Sequence, residues 1–451
     1  MSPPLNRIAS DERLPAQADV VVIGGGVIGV SAAYHLAKKG HTVALVEKGY
    51  VGAEQSSRNW GWCRQQGRAR AEIPLAREAL RLWEEMQNDA GVDAGFRRTG
   101  ILFVTEDPKE LADWENWVEI AREQQVHSAI LSPAELAERL PGSADGWIGG
   151  LHTPSDGRAE PSMAVPALAA AARKHGVTIH QECAARGLET QGGRVSAVVT
   201  EKGAIRAQSV LLAGGAWSSL FCRRHGIELP VGLVNATACR TTPAPEITAG
   251  ALGTSYYCIR RRLDGGYTLA LRNRGTVEIS PDLFRYARAF WPTFLERRKG
   301  LKLSFGKSFF DQIMRGTSWS LDQPSPFEAE RVRDPAPDMS LVNSALAALI
   351  ESHPQLDGIK IAEAWGGTID ATPDTIPVIS PVDALPGFFL ATGFSGHGFG
   401  IGPAAGKLAA DIVRGDTPLV DPAAYSHVRL IDGRPLAPDQ SVLARSHRGR
   451  A

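Results

Sequence analysis

Short apolar runs that break at glycine recur along this chain and set its plan. The first, Val20-Val21-Val22-Ile23, is β-branched and predicts a strand buried in a parallel sheet. It stops at Gly24-Gly25-Gly26-Val27-Ile28-Gly29, and apolar positions with helical spacing follow through Leu36. His41-Thr42-Val43-Ala44-Leu45-Val46 predicts the next strand, ending at Glu47-Lys48. The pattern returns at Val210-Leu211-Leu212-Ala213-Gly214-Gly215, just before Trp217. It returns again at Phe388-Phe389-Leu390-Ala391-Thr392. A glycine-rich loop follows, Gly393-Phe394-Ser395-Gly396-His397-Gly398-Phe399-Gly400-Ile401-Gly402, and then a helix over 404–414.

Between these runs the rhythm changes. Residues 72–88 predict an amphipathic helix carrying Leu75, Ala79, Leu80, Trp83 and Met86. Residues 100–104 predict a strand, 107–125 a charged helix, and Ser132-Pro133-Ala134-Glu135 a helix start with a capping box. Strand-forming runs flank Asp264-Gly265-Gly266, a hairpin signal. The fold expected is α/β, with a discontinuous Rossmann-like nucleotide-binding domain over 1–90, 149–234 and 359–451. An α+β domain with an antiparallel sheet, over 91–148 and 235–358, is inserted into it. Residues 280–320 are aromatic and basic (Phe284, Phe290, Trp291, Phe294, Arg297, Arg298, Lys299, Phe309, Phe310). They form either a solvated excursion with one packed face or a surface that meets a membrane or partner.

The spacing Gly24-x-Gly26-x-x-Gly29 gives each glycine a physical role, in turn a tight turn, close approach to a pyrophosphate, and close helix–strand packing. The helix start behind them offers unpaired N–H groups to phosphate. An acid at Glu47 suits a ribose hydroxyl and argues against a 2′-phosphate, leaving FAD or NAD. The second strand–diglycine element, at Gly214-Gly215, suggests a second backbone approach to one extended ligand and favours FAD. Lysine plus arginine equal aspartate plus glutamate at 49 each, so no global field recruits nucleic acid. Five cysteines are scattered without metal-ligand spacing, which suits a reducing cytoplasm and no metal site. No signal-peptide core is expected at the N-terminus, and no apolar stretch is long enough to span a membrane.

These segments together resemble the D-amino acid oxidase/sarcosine oxidase superfamily of FAD enzymes along nearly the whole chain. Gly52-Ala53-Glu54-Gln55-Ser56, Ala185-Arg186-Gly187-Leu188-Glu189-Thr190, Val210-Leu211-Leu212-Ala213-Gly214-Gly215 and Thr317-Ser318-Trp319-Ser320-Leu321-Asp322 are most similar to bacterial L-amino acid deaminases. The resemblance implies a glutathione-reductase type of FAD domain and non-covalent FAD, since no cysteine follows Cys258 to carry a C-terminal flavin link. It implies cofactor contacts at Gly24, Gly26, Val27, Ile28, Gly29, Glu47 and Lys48. Further cofactor contacts follow at Gln55, Ser56, Ser57, Ala185, Gly214, Gly215 and Trp217, and at Gly367, Gly396, Gly398, Gly400 and Ile401. Arg272 is expected to clamp a substrate carboxylate, with Gln66, His397 and Ile369 near the substrate.

Such a relative oxidises the Cα–N bond of an amino acid to an imine, which water hydrolyses to a 2-oxo acid and ammonia. Flavin does the difficult step, so no acid–base triad is required and no side chain is singled out as catalytic. A carboxylate substrate needs a planar, permanently charged fork. Arg272 is the first choice, with Arg274, Arg260 and Arg64 as rivals. Asp370 is read as solvent-facing or as the receiver of a cationic substrate group. The alternatives are oxidation of a secondary amine such as an N-alkyl amino acid or opine, a non-catalytic flavin electron-transfer subunit and, less favoured, a hydroxy-acid dehydrogenase. The electron acceptor, oxygen or a respiratory chain, stays open. Residues 280–320 correspond to the deaminases' membrane-contacting module, which leaves open peripheral attachment at the inner face of the membrane.

Overall fold

The structure is a computed structural model of the chain. It describes residues 3–436 apart from 145, 307–308, 311–312, 314–315 and 317. Thr317 of the deaminase-like segment, six other positions of the 280–320 excursion and residues 437–451 of the 359–451 stretch therefore lie outside the described residues.

Val20–Ile23 is buried at every position because it runs through the middle of a six-stranded sheet. Val43–Val46 pairs with it in parallel on one side and Ser209–Leu212 on the other, each in register with Val20. Thr178–His180 extends the sheet beyond Val43–Val46. Phe388–Thr392 and the antiparallel Val378–Pro381 extend it beyond Ser209–Leu212. The two glycine-broken strand ends, at Ile23 and Leu212, thus lie side by side. Connections leave in opposite directions there, which opens a crevice at the carboxyl ends of the strands.

Sterics explain why glycine occupies that crevice. Gly24 has φ +113°, and a Cβ on it would stand 2.3 Å from the Ala213 carbonyl oxygen. A Cβ on Gly29 would stand 2.0 Å from the Gly24 carbonyl oxygen, so the helix Val27–Lys38 sits against the turn only because that side chain is missing. The helix Gly398–Arg414 packs across Val27–Lys38, and a Cβ at Gly406 would meet Ser31 at 2.5 Å.

A ten-stranded sheet forms the second layer. The predicted hairpin is present: Cys258–Arg261 pairs antiparallel with Tyr267–Ala270. Ile101–Thr105 lies in the same sheet, joined to the hairpin through Ala251–Gly253. The sheet also takes in Gly149–Thr153 and Ile361–Ala371, two strands that the division by sequence gives to the nucleotide-binding part. Both contain adjacent glycines, and pairing with Ile101–Thr105 and Gly232–Thr241 keeps them extended. Pro281–Arg285 and Ala287–Arg297 are helices, and Leu301–Ser304 is an edge strand. Phe284, Trp291, Phe305 and Phe310 on this excursion are exposed. Among the described residues no helix is long and apolar enough to cross a membrane.

Candidate active site

The crevice continues as a narrow cleft lined by Gly24, Gly26, Val27, Ile28, Glu47, Lys48, Gln55, Ser56, Ala185, Gly214, Gly215, Trp217, Gly396 and Gly398. Glu47 accepts the Gly25 and Gly49 backbone N–H groups, each at 2.7 Å, while burial pushes its carboxyl up. Ser56 Oγ accepts the Val27 N–H at 3.0 Å. The helix start has no side-chain cap of its own. Other cofactor candidates stand elsewhere. Gly29 is packed against the turn, and Ser57 donates to the Glu54 carbonyl oxygen at 3.2 Å. Ile401 lies wholly in the apolar core, and Gly367 and Gly400 line a neighbouring cavity.

This cleft fits a dinucleotide. A Cβ at Gly215 would meet nothing within 4 Å, and one at Gly26 only Ser56 Oγ at 3.2 Å, so both backbones face open space. Gln55 Oε1 is buried with no hydrogen-bond partner. The residues suit FAD, with the Gly24–Ile28 turn at the phosphates and Glu47 at a ribose.

The structure adds a strap that pattern reading missed. Lys48 Nζ donates to the carbonyl oxygens of Glu330 and Arg331, at 2.9 and 2.7 Å. Arg331 returns a bond to the Lys48 carbonyl at 2.7 Å and pairs with Glu201 at 2.6 Å. Trp217 sits between the Lys48 ammonium, 4.2 Å from its ring, and the Arg333 guanidinium, 4.4 Å away, and donates to Glu54 at 3.0 Å. Burial opposes ionisation of Glu54, but Lys48, the Arg333 N–H and Trp217 together hold the carboxyl below the usual range.

Gln55, Asn59, Ala216, Trp217, Thr368, Gly396 and Phe399 line both the cleft and a second cavity of about 1020 Å³. Trp60, Trp62 and Phe103 form an aromatic wall of that cavity, with successive centroids 5.6 and 5.4 Å apart. Arg64, Arg68, Arg272, Ile369 and His397 line it too. Arg272 pairs with buried Glu110, and its guanidinium stands 5.5 Å from the Phe103 ring. Its other terminal nitrogen, Nη1, is buried without a hydrogen-bond partner. Glu110 is held in turn by Thr105 Oγ1 at 2.7 Å. His397 Nδ1 lies 3.0 Å from Glu72, a fully buried carboxylate. Burial opposes ionisation of Glu72, but His397, Arg68 and Arg64 together hold its carboxyl below the usual range. Burial, then the charge of Arg68, pushes Arg64 down to about 9.

Gln66 does not reach the cavity. Its amide nitrogen donates to the Ile101 and Leu151 carbonyls and to Thr153 Oγ1, at 3.2, 2.9 and 3.0 Å, which fastens the loop to the second sheet. Arg260 is also structural, bonded to Trp60 O, Glu160 and Thr268. Arg274 lines the cavity and donates to the Lys299 carbonyl. Asp370 is not solvent-facing and does not line the larger cavity, but it does line the narrow cleft. Buried, with its carboxyl pushed up by desolvation, it accepts the Gly393 N–H at 2.7 Å and Thr392 Oγ1 at 3.2 Å. It thereby fixes the loop that carries Gly396 and His397. Arg68, Glu72 and Glu110 escaped pattern reading. The only signal for Arg68 was the arginine density of the loop after Trp62.

Known proteins place this geometry. The solved L-amino acid deaminase from Proteus myxofaciens in complex with anthranilate is 32% identical, with TM-score 0.91, over 95% of this chain and 98% of that one. The Proteus vulgaris enzyme is 31% identical, with TM-score 0.90, over 94% and 100%. Among curated relatives, glycine oxidase of Pseudomonas putida is 25% identical over 90% of this chain and 97% of its own. Mouse mitochondrial dimethylglycine dehydrogenase is 25% identical over 92% of this chain, which spans only 45% of that relative's length. The family model described as DAO, FAD dependent oxidoreductase, matches residues 19–412. This chain belongs to that family of FAD-dependent oxidoreductases.

Proposed function

We propose that this protein oxidises the Cα–N bond of an amino acid, yielding a 2-oxo acid and ammonia after hydrolysis of the imine. The observation that carries this reading is the join between cleft and cavity. The walls that would bound a flavin also bound a chamber holding a guanidinium with a buried, unbonded Nη1. FAD, when bound in the cleft, supplies the two-electron acceptor for such an oxidation. Gly24, Gly26 and the helix start hold its pyrophosphate and Glu47 a ribose. Arg272 receives the substrate carboxylate at its guanidinium, while Glu110 keeps that group from turning away. Trp60, Trp62 and Phe103 exclude water from the carbon that loses hydrogen. Thr392 and Gly393, through Asp370, set the loop that brings His397 and Gly396 to the same place.

Oxidation of a secondary amine such as an N-alkyl amino acid is the second reading, favoured by the likeness to a dehydrogenase of an N-methylated amino acid, dimethylglycine. The exposed Phe284, Trp291, Phe305 and Phe310 support a further reading in which the excursion rests on a membrane surface and electrons pass to a respiratory acceptor. Anaerobic mixing of the flavin-loaded protein with L-, D- and N-methyl amino acids tests the main proposal. Bleaching with stoichiometric ammonia supports it. Bleaching by N-methyl substrates alone, with release of an alkylamine or aldehyde, favours the second reading, and no bleaching by any amine refutes both. Admitting air then tests oxygen as acceptor, and co-sedimentation with anionic vesicles tests the membrane contact.

A further inference from the structure

The strand Ile361–Ala371 is a partition between the two spaces. Gly367, Ile369 and Ala371 line the cavity, Asp370 lines the cleft, and Thr368 lines both. That alternation follows the pleat, which sends successive side chains to opposite faces. The Gly24–Gly26 turn and Glu47, which suit the phosphates and a ribose, line the cleft alone. The flavin end of a dinucleotide seated on them therefore falls where cleft and cavity join. Thr368 stands at that join and is only 6% exposed.

Thr368 ends a chain of hydrogen bonds whose direction is fixed at the far end. Asn235 lies directly across from it on Gly232–Thr241, and Glu278 lies two residues beyond Thr276, the partner of Asn235 on Gly275–Glu278. Glu278 is exposed, and an ionised carboxylate only accepts, so Asn235 turns Nδ2 towards it, at 2.9 Å. Asn235 Oδ1 is thereby left for Thr368, whose Oγ1 donates to it at 2.8 Å. A hydroxyl has one proton. With that proton committed to Asn235, Thr368 presents only lone pairs to the join. Asn59 and Trp217 line both spaces as well, but their N–H groups are committed to the Gln55 and Ser56 carbonyls and to Glu54. A flavin ring carries an N–H, and burying it here without an acceptor would weaken binding.

We infer that Thr368 accepts a hydrogen bond from the flavin ring of bound FAD, and that Asn235 and Glu278 are positioning residues that keep its proton turned away. The inference concerns the cofactor and holds whichever amine is oxidised. Glu278→Lys is the sharpest test, because an ammonium only donates. It draws Asn235 Oδ1 towards itself and turns Nδ2 to Thr368, so the hydroxyl proton swings to the flavin. Flavin-depleted protein is titrated with FAD, followed by flavin fluorescence, and with ADP, which has no flavin. Thr368→Val and Glu278→Lys should each raise the dissociation constant for FAD about tenfold and leave that for ADP unchanged. Thr368→Ser keeps a hydroxyl, and Glu278→Gln brings an amide that can accept as well as donate. Both should stay within about threefold of the unmodified protein. In the Thr368→Val background Glu278→Lys should add nothing, since no hydroxyl is left to turn. Unchanged FAD binding in both Thr368→Val and Glu278→Lys overturns the inference. So does an equal loss for FAD and ADP, a loss in Thr368→Ser as large as in Thr368→Val, or full additivity in the double variant. Should Thr368→Val fail to fold, the exposed Glu278 position decides. Flavin should then leave the Glu278→Lys holoprotein about tenfold faster on dilution than the Glu278→Gln holoprotein, and equal rates overturn the inference. If these results hold and no amine reduces the flavin, the proposed function fails alone.

Discussion

Replacing Arg272 tests the site and the fold together, and the ion pair with Glu110 lets the two be separated. Arg272→Met removes the proposed carboxylate fork. A charge-assisted hydrogen bond contributes about 1.5–3 kcal/mol, so kcat/KM should fall about tenfold to a hundredfold or more, carried mainly by KM. The same change leaves Glu110, only 2% exposed, without its cation. Breaking one side of a buried pair costs about 3–5 kcal/mol. Here the cost should sit at the low end, because Thr105 Oγ1 at 2.7 Å and Ser255 Oγ at 3.3 Å still donate to Glu110. Adding Glu110→Gln removes the orphaned charge and keeps an oxygen for those hydroxyls. The double variant should therefore recover about 2 kcal/mol or more of the lost stability without recovering KM. Chemical denaturation and steady-state kinetics on both variants provide the readout. If the double variant regains KM along with stability, Arg272 acts only on the fold. If the single variant is as stable as the parent, the pair is not a buried charge balance.

Gly24→Ala should abolish flavin binding, because its Cβ would collide with the Ala213 carbonyl at a left-handed φ; flavin-to-protein stoichiometry of the soluble product checks this. Arg331→Ala should speed flavin dissociation several-fold by removing the strap's side-chain bonds to Glu201 and to the Lys48 carbonyl, measured as the return of flavin fluorescence after dilution. His35 is buried beside Lys407, Lys38 and Lys39. Burial, helped by those charges, lowers it from 6.5 to about 3. The unfolded chain therefore binds a proton that the folded chain refuses: this contribution to stability is intact above pH 6.5 and is lost progressively as pH falls towards about 3. His35→Gln should flatten that limb in denaturation series between pH 7 and 5.

What was legible in the sequence is what short-range sterics decide. The Gly24, Gly26 and Gly29 spacing, the acid at Glu47 and the hairpin around Gly265 follow from local backbone geometry, and the structure forms each of those elements. Arg272, at the end of the hairpin strand, was put first by the family resemblance, and spacing alone left Arg274, Arg260 and Arg64 as rivals. Gln66 and Arg68 could not be separated, because both belong to an irregular loop whose facing is set by Asp156 and Trp117 from elsewhere in the fold. Arg260 looked as available as Arg272, yet Glu160, a hundred positions away in the chain, claims it. The strand Ile361–Ala371 was hidden by Gly366 and Gly367. An extended glycine pair is held by its partner strand, here Gly232–Thr241, and not by its own propensity.

The sheet order has a consequence for how the protein is made. Gly24–Ile28 and Gly396–Phe399 both line the cofactor cleft, so its walls come from opposite ends of the chain. A ribosome extrudes the glycine turn long before it extrudes Phe388–Thr392, the strand that closes against Ser209–Leu212. Throughout that interval the helix Val27–Lys38 lacks the Gly398–Arg414 helix that covers it. Flavin capture is therefore a late event in biogenesis, completed after most of the polypeptide has emerged. A chain arrested before residue 388 presents an uncovered apolar helix and half a nucleotide site, which marks it for chaperones and proteolysis.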